Sequence, residues 1–385
     1  MNTNNYQIYF PSSVYSGAQS LNRLPDLLVG QKKAVILTNK VIVDNHGLDY
    51  AISKLQDQGT EYVIIDNVAI EPLASQVQEI VNICKNIECE TIIAVGGGSV
   101  MDTAKIVSLL CETDLTVFDL LENPLAVSKR NKYLILIPTT AGTGAEVTPN
   151  AIVTDAARQL KIGIVNPAII PDCVILDPEL IRTLPPAITA STGMDALCHA
   201  IECYISKKSN QLSDTLAIDA MRLIFKYLPK SYTDPDNMDA RANMLYASFL
   251  AGLCIATSST VAVHALSYPL GGHYHIPHGT SNAMLLCEVM KYNLPAVREK
   301  FQQIAIRCLD SDPNISLEES SQLVVDRIDQ MTKFLSIPTD LKKYGIHPEI
   351  LDELAVEAYG IRRLLDNNPR EMNIEDIKNI YRKLM

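Results

Sequence analysis

Four short apolar runs constrain the fold of this chain more than any other feature. They are Lys33-Ala-Val-Ile-Leu-Thr38, Glu61-Tyr-Val-Ile-Ile65, Thr91-Ile-Ile-Ala-Val95 and Tyr133-Leu-Ile-Leu-Ile137. None alternates polar with apolar, so each reads as a strand buried on both faces, as in a parallel sheet. Between the second and third, Val77, Ile80, Val81 and Cys84 recur at helical spacing over 73–87. Strands that alternate with helices predict an α/β domain with a parallel sheet. The aromatic stretch Tyr6-Gln-Ile-Tyr-Phe10 reads as a further strand, and Leu21 to Leu28 as a short amphipathic helix.

The texture changes at Leu184-Pro-Pro186. From there on the periodicity is helical, clearest over 210–228, 240–256, 318–335 and 372–385, with prolines as punctuation. The chain therefore divides into an α/β domain, 1–185, and an all-α domain, 186–385. A length of 385 residues suits two domains better than one core.

Composition excludes some partners. A formal net charge of -11 and the lack of a dense Lys/Arg run disfavour nucleic acid. No run of 18 apolar residues and no signal-like N-terminus are seen, so neither a membrane span nor export is expected. The nine cysteines form no metal-knuckle spacing and read as buried free thiols in a reducing, cytoplasmic compartment.

Two loops follow strands of the first domain. Gly96-Gly-Gly-Ser99-Val-Met-Asp102-Thr-Ala-Lys105 opens a helix, where glycines permit close approach and free N–H groups favour an anion. A tight turn capped by Ser99 or Asp102 is the plainer reading. Pro138-Thr-Thr140-Ala-Gly-Thr143-Gly-Ala-Glu146-Val-Thr148 brings hydroxyls and glycines to the next strand end, which suits a ribose or phosphate as well as an ordinary polar loop. Ligands of parallel sheets bind at such ends.

The second domain carries the metal signal. Asp195 and His199 stand at i, i+4 and share a helix face. Four of the seven histidines fall between His264 and His278, amid apolar, Gly and Pro positions. A pair at i, i+4 is often a surface contact, but one carboxylate with several imidazoles suits a divalent transition metal.

Taken in order, Gly96-Gly-Gly-Ser-x-x-Asp102-x-Ala-Lys105, Pro138-Thr-Thr-Ala-Gly-Thr, Gly193-Met-Asp195-Ala-Leu-x-His199-Ala-Ile-Glu202 and His264-Ala-Leu with Pro277-His278-Gly279 resemble the iron-containing (group III) alcohol dehydrogenases. The resemblance implies a Rossmann-like N-terminal domain and a helical C-terminal domain, a dehydroquinate synthase-like fold, with the metal between them. It places the metal on Asp195, His199, His264 and His278, with Fe²⁺ the family's habit and Zn²⁺ an admissible substitute. It places the dinucleotide, NAD or NADP, on Gly97, Gly98, Ser99, Asp102, Thr139, Thr140 and Thr143, with Lys161 lining the cleft. The implied activity is hydride transfer between nicotinamide C4 and a small alcohol or aldehyde polarised by the metal, in a homodimer.

Some positions depart from the family pattern. Tyr268 replaces a histidine proposed as proton relay, and its phenol suits cofactor contact and packing better than proton transfer. His273 and His275 read as loop scaffolding. Asn39 replaces an aspartate that contacts ribose, which admits NADPH. The segment 251–259 is expected to line the substrate side with small and hydroxyl-bearing residues. Two alternatives stay open: a dehydroquinate-synthase-like lyase using transient NAD oxidation, and a non-catalytic relative.

Overall fold

The four apolar runs are neighbouring strands of one parallel sheet in the computed structural model, which describes residues 6–158 and 160–385, and Glu61–Ile65 stands at its edge. Strands β1 (Ser13–Ser16), β2 (Lys33–Leu37), β3 (Glu61–Ile65), β4 (Thr91–Gly96) and β5 (Tyr133–Pro138) belong to it. β6 (Asn150–Asp155) and β7 (Leu160–Val165) make a separate antiparallel pair, and β8 (Cys173–Leu176) returns to the sheet. The order is β1-β8-β5-β4-β2-β3. Alternate residues of each central strand enter opposite cores. Val35, Leu37, Ile92 and Ala94 pack in one, whereas Ala34, Ile36, Ile93 and Val95 pack in the other. Two buried faces explain why the runs show no polar alternation.

The topology marks a binding end. β2 and β4 are neighbours, yet the chain leaves β2 towards β3 and leaves β4 towards β5. The strand order thus reverses between them, and a ligand crevice opens at such a switch point. In register, Gly96 at the end of β4 sits opposite Pro138 at the end of β5.

Residues 6–10 are not a strand, contrary to the reading from their aromatic content. Tyr6 and Phe10 are exposed, and Pro11 follows directly. Proline has no N–H for a ladder, so the segment cannot extend into the sheet. The strand begins at Ser13 and pairs with β8.

The chain separates into two compact units, Tyr9–Thr183 and a second made of Leu184–Met385 with the described residues before Tyr9. The second is all-helical. Its axis is the Pro186–Ile205 helix, whose residues from Gly193 to Ile205 are all buried. A Cβ added at Gly193 would meet Leu228 Cδ1 at 2.3 Å, so glycine is what lets the Gln211–Thr233 helix pack there. The Met238–Thr257, Ala262–Tyr274 and His278–Cys308 helices complete the frame of the site. Among the described residues no single helix is long and apolar enough to cross a membrane. All nine cysteines are free and buried, and burial pushes the Cys84 thiol up to about 12. Such thiols are unreactive.

Candidate functional site

Three helices bring four donors to one point. Asp195 and His199 come from the Pro186–Ile205 helix, His264 from the first turn of Ala262–Tyr274, and His278 from the first residue of His278–Cys308. Their ligand atoms all lie within 4.8 Å of one another. Asp195 Oδ1 stands 3.8 Å from His199 Nε2 and 3.9 Å from both His264 Nε2 and His278 Nε2. The His199 and His264 rings stack, with centroids 4.7 Å apart. Asp195, His199 and His264 are buried, whereas the His278 side chain is 32% exposed and marks the open edge.

The second layer fixes which nitrogen faces inward. Glu202 Oε2 accepts from His264 Nδ1 at 2.6 Å and from the Val261 N–H at 3.1 Å. Glu202 Oε1 accepts from the Val263 N–H. Burial pushes the Glu202 carboxyl up to about 7, against the pull of the Val261 and Val263 N–H groups. The two backbone N–H donors favour the ionised form, which accepts from them and from a protonated Nδ1 of His264. With Nδ1–H held by Glu202, His264 presents the Nε2 lone pair to the cluster. Burial also pulls the His264 imidazole down to about 4, so the ring is neutral at pH 7.

Asn282 reports the chemistry of the donor set. Its Nδ2 donates to Asp195 Oδ1 at 2.7 Å and lies 3.1 Å from His264 Nε2 and 3.2 Å from His278 Nε2. One polar hydrogen-bearing atom thus sits among three lone-pair donors, while the buried Asn282 Oδ1 has no partner. Lone pairs that converge on one point are complementary to a cation. One carboxylate and three imidazoles suit Fe²⁺ or Zn²⁺ rather than Mg²⁺ or Ca²⁺. The residues therefore fit the metal the family name implies.

Sequence spacing carries the signal for Glu202 as well as for the donors. Asp195, His199 and Glu202 fall at i, i+4 and i+7, two turns of one face. Asn282 likewise follows His278 by one turn. Gly279 makes the assembly close-packed: a Cβ there would meet Ser191 O at 2.5 Å and Asp195 Cβ at 3.4 Å.

Tyr268 lies one turn after His264, with its ring centroid 6.2 Å from that of His278. Burial raises its phenol, opposed by the positive charge of Arg363. A raised phenol shuttles protons poorly near neutral pH. His273 is exposed and pairs with Glu357 at 2.8 Å, and exposed His275 takes φ 52° at the helix end, so both serve the loop. The three hydroxyls of 251–259 each donate to a backbone carbonyl. Thr257 Oγ1 bonds back to Leu253 O and Cys254 O, Ser258 Oγ to Cys203 O, and Ser259 Oγ to Thr260 O. Short hydroxyl side chains satisfy helix-end carbonyls before anything else.

The first unit holds the candidate dinucleotide seat. Gly97 precedes the Gly98–Leu110 helix, and the Thr139 N–H donates to Gly96 O at 3.0 Å, which joins the two loops. A Cβ on Gly98 would meet Thr143 Cγ2 at 2.9 Å, and one on Gly97 would meet Thr140 Cγ2 at 3.4 Å. The two loops therefore touch through backbone that carries no side chain. Several polar side chains expected to contact the cofactor are already engaged. Ser99 Oγ accepts from the Glu71 N–H, Lys161 Nζ pairs with Glu71 Oε1 at 2.7 Å, and Asn39 Oδ1 caps the Lys40–Asp44 helix through the Ile42 N–H. Asp102 is turned inward: Oδ1 accepts from buried Lys105 Nζ at 3.2 Å and Oδ2 from the Ile152 N–H at 3.0 Å. It ties the helix to β6. Lys105 also donates to Thr148 Oγ1 and Asn150 O.

A family model described as iron-containing alcohol dehydrogenase matches residues 11–178, and one for the C-terminal part of the Fe-containing alcohol dehydrogenase family matches 189–385. The NAD-dependent methanol dehydrogenase of Bacillus methanolicus is 32% identical over 358 residues, 93% of each chain. The NADPH-dependent butanol dehydrogenase of Clostridium saccharobutylicum is 34% identical over 378 residues, 96% of each. The crystal structure of a 1,3-propanediol oxidoreductase superposes with a TM-score of 0.94 at 31% identity, covering 99% of this chain and 100% of the other.

Proposed function

Because this chain belongs to the iron-containing alcohol dehydrogenase family, we propose that its helical unit holds Fe²⁺, or Zn²⁺ in its place, on Asp195, His199, His264 and His278. The chain is an oxidoreductase of alcohols and aldehydes, as its relatives are, and the lyase alternative is not favoured. The reaction balances as aldehyde + NAD(P)H + H⁺ → alcohol + NAD(P)⁺: a hydride goes to the carbonyl carbon and a proton to its oxygen. The observation that carries the metal assignment is the convergence of one carboxylate and three imidazoles around the Asn282 amide.

When bound, the metal supplies a Lewis acid for the substrate oxygen. Glu202 holds His264 in the tautomer that offers Nε2. Partly exposed His278 marks the edge where the substrate approaches, and Tyr268 packs beside it. Gly97 and Gly98 offer backbone to the pyrophosphate, helped by the helix N-terminus, while Thr139, Thr140 and Thr143 border the same seat. Ser99, Asp102 and Lys161 shape that seat through their own partners. Asn39 directs its oxygen to the helix cap, which leaves its N–H groups for a ribose or a 2′-phosphate, so NADPH is accepted beside NADH. The protein works as a homodimer in the cytoplasm.

The test is anaerobic reconstitution of metal-stripped protein with Fe²⁺ or Zn²⁺. NADH and NADPH are offered separately with short aldehydes. Metal-dependent oxidation of either cofactor is expected. Its absence with every metal, cofactor and aldehyde sinks the proposal.

A further inference from the structure

Asn282 stands closer to the donor cluster than a packing role requires. It follows His278 by one turn of the His278–Cys308 helix and is fully buried. Its carboxamide lies against three of the four donors. Nδ2 is 2.7 Å from Asp195 Oδ1, 3.1 Å from His264 Nε2 and 3.2 Å from His278 Nε2. Those three atoms come from three different helices. The other end of the same amide, Oδ1, is buried with no hydrogen-bond partner. A buried acceptor left unpartnered is unfavourable, and each one calls for a group that it meets.

Gly279 packs the start of this helix against Ser191 O, so the Asn282 backbone has little room to shift. The carboxamide has its own torsion. A half-turn about Cβ–Cγ exchanges Oδ1 with Nδ2, which have nearly the same shape, and leaves every other atom in place. The two ends answer to opposite charges. N–H groups suit the lone pairs of a carboxylate and of imidazoles. A divalent cation held by those lone pairs repels N–H and attracts the amide oxygen.

We propose that Asn282 is a fifth ligand, through Oδ1, and that it sets which metal the site prefers. The inference rests on the metal reading above. Asp195, His199, His264 and His278 already supply the four donors that Zn²⁺ favours. A further oxygen adds little for Zn²⁺ and completes a larger shell for Fe²⁺ or Co²⁺.

The test titrates metal-stripped wild type, Asn282→Leu and Asn282→Asp with Fe²⁺, Co²⁺ and Zn²⁺ against a chelator, without oxygen. The visible spectrum of each Co²⁺-loaded protein is recorded, because five-coordinate Co²⁺ absorbs more weakly than four-coordinate Co²⁺. The wild type is expected to show the weak band. In Asn282→Leu, which offers no oxygen, affinity for Fe²⁺ and Co²⁺ falls about ten- to hundredfold and the Co²⁺ band intensifies. Zn²⁺ affinity changes by less than about threefold. Asn282→Asp keeps an oxygen at this place and keeps the weak band. If the amide only steadies Asp195, Asn282→Leu lowers all three metals together and leaves the Co²⁺ spectrum as it was, which overturns the proposal. An intense four-coordinate band in the wild type overturns it as well, whatever the variants do. Wild type that binds none of the three metals overturns the metal reading beneath it.

Discussion

Each unit of the molecule buries one glutamate completely, and the two are handled in opposite ways. Glu202 in the helical unit and Glu146 in the α/β unit are each pushed up to about 7 by burial. Around Glu202 the fold has placed the Val261 and Val263 N–H groups and His264 Nδ1. Around Glu146 it has placed less: Oε1 has no hydrogen-bond partner, its own backbone N–H favours the carboxylate, and Lys105, whose charge reaches it, is already bound to Asp102, Thr148 and Asn150. The same titration position therefore has two meanings. One carboxylate is ionised and orients a metal-binding ring. The other carries a burial cost that its own backbone N–H and the Lys105 charge offset only in part.

The largest expected effect breaks the ion pair beside Glu146. Lys105→Met leaves Asp102 buried and uncompensated, and should cost about 3–5 kcal/mol of stability in chemical denaturation. A loss under about 1 kcal/mol would mean that Asp102 simply protonates, and that Lys105 does not set the charge balance there.

Glu146→Gln sharpens the contrast through pH. The folded carboxyl is raised from 4.5 to about 7, so the folded state holds its proton more tightly than the unfolded chain. The contribution of Glu146 is therefore fully present below pH 4.5 and falls as pH rises towards 7. The wild type should lose about 3 kcal/mol relative to Glu146→Gln between pH 4.5 and 8. Parallel stability curves for the two proteins would show that a partner for Glu146 exists in solution.

Glu202→Gln should have the smallest effect in energy and the most specific readout. Fe²⁺ affinity in a chelator competition should fall about ten- to hundredfold, while NAD(P)H binding stays as it was. Unchanged metal affinity would reduce Glu202 to a packing role and erase its difference from Glu146.

How much of this was legible depended on what does the work at each place. β2, β4 and β5 announced themselves because two buried faces leave a run with no polar positions, and β3 at the edge keeps an apolar run although most of it is only half-buried. β1 and β8 have only four residues each, too few for a period to emerge, and in β6 and β7 hairpin strands mix exposed with buried positions. Tyr6 and Phe10 misled because strand-forming side chains say nothing about whether a partner strand is in reach. The metal donors were visible because only a few side chains can be ligands at all. Glu202 and Asn282 share those helix faces, but they act on other side chains, and a role of that kind has no residue type of its own. On the nucleotide side the work falls to glycine backbone, while Asp102, Ser99 and Asn39 turned to internal partners. Sequence gave their positions but not their orientation.

Gly279 has a consequence for anyone who would redesign this protein. Its missing side chain puts peptide against peptide, with Ser191 O close to where a Cβ would stand. Peptide groups do not shrink or swell under mutation, so the gap between two of the donor-bearing helices is a fixed dimension. A library that reshapes the surroundings of Tyr268 can wander widely in volume and charge while the donor geometry holds still. The same library opened at position 279 would return almost nothing.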